Sequence, residues 1–214
     1  LAKVSELIAQ HCTSASICFG MHAVGSATIA SKVNDHQLDK YLTPICEGNH
    51  LTSIALSETS SGSQFYLPQT RMQYHSENEY HINGTKSFVI NADQADSYII
   101  SAVAESSATL GEQFNCLLIN SGASGIQWGE QWNGPGLRGN STRNLYLEDV
   151  KIPGGNILGE FGDQIWYVFN VITPYFLSSM AGTYLGIARA ALDEVIGHIK
   201  NREFSFNGRS LASF

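Results

Sequence analysis

The hydrophobic pattern of the chain changes its period twice, and this feature constrains the fold more than any other. Up to about residue 50, apolar residues such as Val4, Leu7 and Ile8 recur at the three- and four-residue steps of an amphipathic helix. From Leu51 onward, short β-prone runs are separated by Gly, Ser and Asn. After about residue 155 the helical spacing returns. The predicted order is therefore helices, a β-domain and a long helix.

The middle segment is expected to form a compact antiparallel β-domain. Its predicted strands cover residues 53–56, 70–74, 80–83, 86–90, 98–104, 116–119, 125–128 and 143–147. Asn83 and Gly84 lie between two of these strands, and Asn-Gly can supply both positive-φ positions of a two-residue turn. We therefore predict a β-hairpin whose turn is formed by these two residues.

Prolines and glycines set expectations for the helices. The residue before Pro44 is disfavoured in the α region, so the helix predicted over 35–41 should end there. In the long helix, Pro174 can introduce a kink, whereas Gly182 and Gly186 are one turn apart and allow another helix to approach closely. This helix needs partners to cover its apolar face, so the chain alone should expose a large hydrophobic patch.

Composition excludes several classes of protein. With 43% hydrophobic residues and 14% charged residues, the chain has material for a core and is not intrinsically disordered. The 12 Lys and Arg against 19 Asp and Glu give a net charge of −7, which disfavours nucleic-acid binding. No apolar run is long enough to span a membrane. The first residues show no Met and no signal-peptide pattern, so we expect sequence upstream of Leu1.

Cysteine and histidine spacing gives no metal motif. The four cysteines lack CxxC spacing and fit reduced thiols in a cytoplasmic protein. The seven histidines show no HExxH or similar ligand spacing, so no metal site is predicted.

Two segments are candidates for binding a ligand. Residues 55–63 run from a strand into a loop of small hydroxyl residues, which can turn backbone N–H groups and hydroxyls toward an anion. The alternative is an ordinary polar loop. Phe88 stands near the end of another strand, where its ring could stack on a planar cofactor or could simply belong to the core.

Several segments, taken together and in this order, resemble the acyl-CoA dehydrogenase family. They are residues 55–58 with 62–63, 82–91, 95–96, 136–142, 147–153, 156–160 and 186–193. The resemblance covers essentially the whole chain.

The resemblance implies an α+β multidomain fold. Residues 1–50 would be the end of an N-terminal helical domain, residues 51–155 an antiparallel, barrel-like middle β-domain, and residues 156–214 the start of a C-terminal helical bundle. It also implies an FAD enzyme that works as a homodimer or homotetramer, in the cytoplasm or, in a eukaryote, in the mitochondrial matrix. In the family, a carboxylate removes the α-proton of an acyl-CoA thioester, the flavin accepts a hydride from the β-carbon, and the electrons pass to an electron-transfer flavoprotein.

The resemblance also assigns site residues. Cofactor binding would involve Leu56, Ser57, Gly62, Ser63, Phe88, Val89, Ile90 and Arg202. Ser63 would in addition bind the substrate through its pantetheine or CoA arm. Phe88 would lie beside the flavin, Val89 and Ile90 would offer backbone contacts, and Arg202 would reach the FAD pyrophosphate of a neighbouring subunit. No residue is nominated as the catalytic base, because the family's catalytic Glu is expected beyond Phe214.

Departures from the family pattern motivate two alternatives. Gln64 replaces an Asp, Ile90 replaces a Thr whose hydroxyl faces the flavin, and Leu177 aligns with an Arg beside the substrate. Residues 206–211 also carry one extra residue. The alternatives are a flavin-dependent monooxygenase of the same fold and a flavin-free relative that serves as an interaction module.

Overall fold

The computed structural model of the chain, which describes residues 1–76, 78–105, 113–203 and 208–213, begins with helices. They are α1 (Ala2–Ala9), α2 (Thr13–Ser31), α3 (Asp35–Gln37) and α4 (Thr43–Cys46). A π-helical segment, Leu38–Leu42, joins α3 to α4, so the predicted helix end before Pro44 is wrong. The reason is that the Thr43 N–H donates to the Leu38 carbonyl, five residues back, and this wider turn accommodates a proline that has no N–H.

Seven strands follow and form one curled sheet. They are β1 (Thr52–Ala55), β2 (Arg71–Ser76), β3 (Glu79–Val89), β4 (Ser97–Ala104), β5 (Phe114–Asn120), β6 (Ile126–Trp128) and β7 (Arg143–Pro153). The strand order is β1-β4-β2-β3-β7-β6, and β5 pairs with the other edge of β4. Most neighbours are antiparallel, but β1 and β2 both run parallel to β4. Strand direction was not predictable here, because alternating side chains look the same in either direction.

The hairpin predicted at Asn83-Gly84 is wrong. Both residues lie inside β3, where Asn83 pairs with Arg71 of β2 and Gly84 pairs with Leu147 of β7. Because β3 is hydrogen-bonded on both edges, its pairing overrides the local turn preference. Gly84 is needed for a different reason: a Cβ atom there would lie 2.6 Å from the Thr70 hydroxyl oxygen.

The long C-terminal helix is confirmed. It consists of α5 (Gln164–Tyr167), a π-helical segment (Val168–Ile172) and α6 (Thr173–Asn201). The π-helical segment again stands directly before a proline, since the Thr173 N–H donates to the Val168 carbonyl and Pro174 follows. Both prolines within helices, Pro44 and Pro174, are thus preceded by a π-helical segment.

The predicted glycine contact is also confirmed. α1 packs on α6, and a Cβ atom on Gly182 would lie 2.1 Å from the Ala2 carbonyl oxygen. At Gly186 the corresponding distance to the Glu6 carbonyl oxygen is 2.3 Å. The two glycines therefore allow the backbones of the helices to touch.

Two apolar clusters make up the core. One lies within the sheet and includes Met72, Ile82 and Ile100. The other lies between α2, one face of the sheet and the helix after β7, and includes Met21 and Ile172. None of the helices in the described part of the chain has the length and hydropathy of a membrane span. The bounds of the three domains remain a prediction.

Candidate functional site

A cavity of about 380 Å³ opens where the second core cluster meets the sheet. It is bounded by α2, by β1 and the loop after it, by the end of β3, and by the π-helical segment with the start of α6. Its lining is mostly apolar and comprises Met21, Ile54, Ala55, Leu56, Ser57, Gly62, Phe65, Ser87, Phe88, Ile90, Ile172, Thr173, Phe176 and Leu177.

Phe88 is the most unusual residue of this cavity. Its φ angle is +56°, a left-handed conformation that is rare for a bulky side chain, and its side chain is 61% exposed. The ring meets Trp132 edge to face, with 5.7 Å between ring centroids. The backbone after it is held in place, because the Ser53 hydroxyl donates to the Ile90 carbonyl at 2.7 Å. The fold thus presents an aromatic ring to solvent at a strained position.

Thr173 is the second unusual residue. Its hydroxyl oxygen is buried and has no hydrogen-bond partner among the described residues. Thr173 lies on the cavity wall, at the first residue of α6. A buried hydroxyl without a partner costs about 1–3 kcal/mol, so this position favours a bound polar group. Thr173 was not predicted from the sequence, because its hydroxyl is unusual only through its burial in the cavity wall.

A second cavity, of about 640 Å³, lies on the other side of the same loop. Ser57, Gly62, Ser87 and Phe88 line both cavities. The rest of its wall is richer in polar side chains than the first cavity and comprises Glu58, Thr59, Glu130, Gln131, Trp132, Asn133, Thr142, Arg143 and Asn144. An apolar cavity and a polar cavity therefore meet at the loop after β1.

A buried ion pair fixes this loop. Lys86 is completely buried in β3, and its ammonium donates to Glu58 Oε1 at 2.6 Å and to the Ser101 carbonyl at 2.6 Å. Burial lowers the pKa of Lys86 to about 8, although the charge and the hydrogen bond of Glu58 oppose this shift. In the sequence, Lys86 is a single cation within a β-prone segment. Its partner Glu58 is 28 residues away, so the ion pair could not be predicted from the sequence.

The Glu58 carboxylate also closes the base of the loop. It accepts hydrogen bonds from the Gln69 N–H at 2.6 Å and from the Thr70 N–H and hydroxyl at 3.1 and 2.7 Å. Burial alone would raise the pKa of Glu58, but the charge of Lys86 and these hydrogen bonds outweigh it, so its pKa lies below the usual value. Glu58 is thus a structural carboxylate whose two oxygens accept four hydrogen bonds.

Comparison with known proteins identifies the family. Residues 53–150 match the family model of the acyl-CoA dehydrogenase middle domain. Cyclohexane-1-carbonyl-CoA dehydrogenase from Geobacter metallireducens is 31% identical over 206 residues, an alignment that covers 95% of this chain and 52% of that enzyme. The chain belongs to the acyl-CoA dehydrogenase family. It spans about half the length of the curated relatives it matches.

Solved acyl-CoA dehydrogenase structures share the fold. Butyryl-CoA dehydrogenase from Megasphaera elsdenii aligns with a TM-score of 0.90 and 26% identity, over 98% of this chain and 54% of that one. Acyl-CoA dehydrogenase from Bacillus anthracis, solved in complex with FAD, gives a TM-score of 0.85 and 26% identity, over 98% of this chain and 35% of that one. The family and the fold class predicted from the sequence are therefore confirmed.

The predicted cofactor residues of this acyl-CoA dehydrogenase relative do not all meet in one place. Those that line the apolar cavity are Leu56, Ser57, Gly62, Phe88 and Ile90. Ser63 is exposed beside the cavity, and the side chain of Val89 is buried in the sheet core. Arg202 lies at the end of α6 in a separate groove with Glu194 and His198. The cofactor and substrate roles of all these residues remain predictions.

Two of the residues that depart from the acyl-CoA dehydrogenase pattern, Leu177 and Ile90, lie at the apolar cavity. Leu177 is 58% exposed and lies on the cavity wall, as does Ile90. Gln64 is exposed in the loop. Residues 206 and 207, which belong to the segment with one extra residue, lie outside the described residues.

Proposed function

We propose that the protein is an FAD-dependent oxidoreductase that removes hydrogen from the α and β carbons of an acyl-CoA thioester. The observation that carries this proposal is the apolar cavity, with the exposed ring of Phe88 at its edge and the unpartnered hydroxyl of Thr173 in its wall. An apolar space with an unpartnered hydroxyl in its wall suits a flavin ring, which is largely apolar on its faces and carries hydrogen-bonding atoms on its edge.

The polar cavity supports the same proposal. A dinucleotide has a polar half, and the cavity across the loop offers the hydroxyl of Thr59, the amide of Asn133 and the guanidinium of Arg143. Because Ser57 and Gly62 line both cavities, one extended cofactor could contact the loop along its length. The residues present therefore fit FAD.

In the proposed mechanism, FAD supplies the acceptor for the hydride that leaves the β-carbon. Phe88 and Leu56 would hold the cofactor ring, and Ile172 and Phe176 would exclude water from the cavity. Glu58 is not assigned as the base that takes the α-proton, because its carboxylate is occupied by Lys86 and by the backbone at Gln69 and Thr70. We assign the base to no residue of this chain.

The electron acceptor, the oligomeric state and the cellular location are proposed from membership of the acyl-CoA dehydrogenase family. An electron-transfer flavoprotein would accept the electrons, and the protein would act as a homodimer or homotetramer. We place it in the cytoplasm, or in the mitochondrial matrix of a eukaryote.

The test begins with the visible absorption spectrum of the protein purified without added cofactor. We expect flavin bands, and we expect them to bleach when acyl-CoAs of different chain lengths are added without oxygen. A protein that holds FAD and is bleached by none of them would contradict the dehydrogenase proposal. A protein that contains no FAD, even when FAD is supplied during expression, would support the flavin-free interaction module.

Thr173→Val gives a sharper test of the cofactor position. The substitution removes a hydroxyl that is unpartnered among the described residues and keeps the shape of the side chain. FAD affinity is expected to fall, by about 1 kcal/mol or roughly fivefold for one lost hydrogen bond, whereas the FAD-free protein should be no less stable. Equal FAD affinity for both proteins would show that the hydroxyl does not contact the cofactor.

Leu177 favours one second candidate function. It exposes an apolar side chain in the cavity where the family resemblance places an arginine, so a substrate without CoA would be accommodated. This candidate is a flavin-dependent monooxygenase. It predicts oxygen consumption that requires reduced flavin and is indifferent to CoA, and bleaching by acyl-CoA would exclude it.

A further inference from the structure

Three potential metal ligands converge on the surface formed by β2 and β3. His75 lies at the bulge where the pairing of β2 with β3 shifts between Tyr74 and Ser76. Glu79 and His81 are two residues apart on β3 and therefore point to the same face of the sheet. One ligand atom from each of the three residues lies within 4.8 Å of the other two. The two cavities described above are lined by other residues.

The hydrogen bonds of His81 leave one ring nitrogen directed at this cluster. His81 Nδ1 lies 2.5 Å from Asp149 Oδ1 of β7, and the carboxylate accepts a hydrogen bond from the N–H at this position. The other nitrogen, Nε2, lies 3.2 Å from Glu79 Oε1. A histidine that ligates a metal almost always donates its second N–H to a carboxylate or a carbonyl, which is the arrangement that Asp149 provides.

The contact between His81 Nε2 and Glu79 requires a positive charge. A lone pair on Nε2 and a carboxylate oxygen repel each other at this distance, so either a proton or a metal ion must lie between them. The ring of His75 stacks on His81, with 4.1 Å between centroids and 21° between planes. Lys151 also faces Glu79, at 3.9 Å, but its side chain is mostly exposed and can turn to solvent.

We propose that His75, Glu79 and His81 form a binding site for a divalent transition-metal ion, with Zn²⁺ as the preferred ion. Two imidazoles and one carboxylate are ligands that Zn²⁺ accepts. Their ligand atoms lie within 4.8 Å of one another, but the two imidazole rings are stacked, so the exposed ring of His75 must turn before its nitrogen and that of His81 can face one ion at the separation of about 3.3 Å that tetrahedral Zn²⁺ requires. Three protein ligands leave the fourth position for water or an external ligand.

The sequence predicted no metal site because the ligand spacing matches no helical motif. The cluster depends on two antiparallel strands, which bring a bulge residue of β2 next to the start of β3. The proposal is independent of the proposed flavin chemistry, and its test uses no activity assay.

The test is a calorimetric titration of ZnCl₂ into the protein after EDTA treatment and dialysis. We expect one binding event per chain, which His75→Ala and His81→Ala abolish. Asp149→Asn should keep the ligands and weaken binding roughly 10- to 100-fold, because Asp149 only orients His81. His11→Ala, which removes an exposed histidine between α1 and α2, is the matched control and should leave binding unchanged.

Two results would overturn the proposal. One is the absence of Zn²⁺ binding by the unmodified protein, which would leave a proton as the bridge between His81 and Glu79. The other is binding that persists in His75→Ala or in a folded His81→Ala variant. His75 is exposed, so its substitution keeps the test decisive even if His81→Ala does not fold.

Discussion

Lys86 and Glu58 form an ion pair in which both side chains are buried, and this pair fixes the cavity loop to the sheet. Lys86 connects the loop to β4 by donating to the Ser101 carbonyl. Glu58, at the start of the loop, accepts a hydrogen bond from the Gln69 N–H at its end. A buried ion pair of this kind contributes little net stability, but the loss of one partner leaves an uncompensated charge in the interior.

The substitution Lys86→Met tests this at the residue level. It leaves Glu58 buried without its cation, and we expect the free energy of unfolding to fall by about 3–5 kcal/mol. The control is Arg71→Met, which removes the cation of the exposed pair with Glu105 and should cost less than about 1 kcal/mol. Urea unfolding measures both values, and a similar cost for the two variants would contradict the structural role of Lys86.

The ion pair also predicts a pH dependence. The pKa of Glu58 is lowered in the folded protein, so the unfolded chain binds more protons as the pH falls below about 4.3. The stability that Glu58 contributes is therefore present above that pH and is lost as the pH falls through the folded pKa.

Comparison of the unmodified protein with Glu58→Gln, by urea unfolding from about pH 7 to about pH 3, checks this sign. The difference in unfolding free energy should be largest near neutral pH and should shrink in acid. Glu47→Gln, at an exposed position, serves as the control. A difference that grows as the pH falls would contradict the lowered pKa of Glu58.

At the scale of elements, the contact between α1 and α6 depends on the absence of side chains at two glycines. Gly186→Ala would place a Cβ atom 2.3 Å from the Glu6 carbonyl oxygen, so α1 must move away. We expect a loss of about 1–3 kcal/mol in the free energy of unfolding.

Gly197→Ala is the matched control on the same helix, because a Cβ atom there has nothing within 4 Å. It should stabilise the protein by up to about 1 kcal/mol through helix propensity alone. Thermal unfolding followed by circular dichroism compares the two variants. Stabilisation by both would show that α1 does not pack closely on α6.

The elements also show what a sequence can and cannot predict. The helices and most strands followed from periodicity, because burial of one face imposes a spacing on each element. The turn predicted at Asn83-Gly84 was wrong, because hydrogen bonding of β3 to the strands on both of its edges outweighs the local turn preference of these two residues. The left-handed backbone of Phe88 was equally invisible, because tertiary contacts and not its residue type hold that conformation.

For the whole molecule, the predicted hydrophobic patch is confirmed on the outer face of α6. Large apolar side chains are exposed there, among them Tyr184, Leu185, Leu192 and Val195. A continuous apolar surface on a helix of this length favours association with another apolar surface.

We expect the polypeptide 1–214 to self-associate through this face. Sedimentation velocity should show species larger than the 23.3 kDa monomer. The double substitution Leu185→Lys and Leu192→Lys should reduce their fraction, because these residues are two turns apart on one face. Tyr74→Lys with Tyr146→Lys, at two exposed tyrosines of the sheet, is the control. A monomer at all concentrations would contradict the prediction.

The parallel pairing of β1 and β2 with β4 has an evolutionary consequence. Both ends of the segment that lines the cavities are anchored on one strand, and Glu58 closes the segment at Gln69 and Thr70. Exposed residues of this segment, such as Ser60 and Gln64, can therefore change without disturbing the sheet, whereas Phe65 and Tyr66 pack against the second core cluster. Exchange of this segment between relatives would diversify ligand preference on a constant framework, as interchangeable loops do in antibodies.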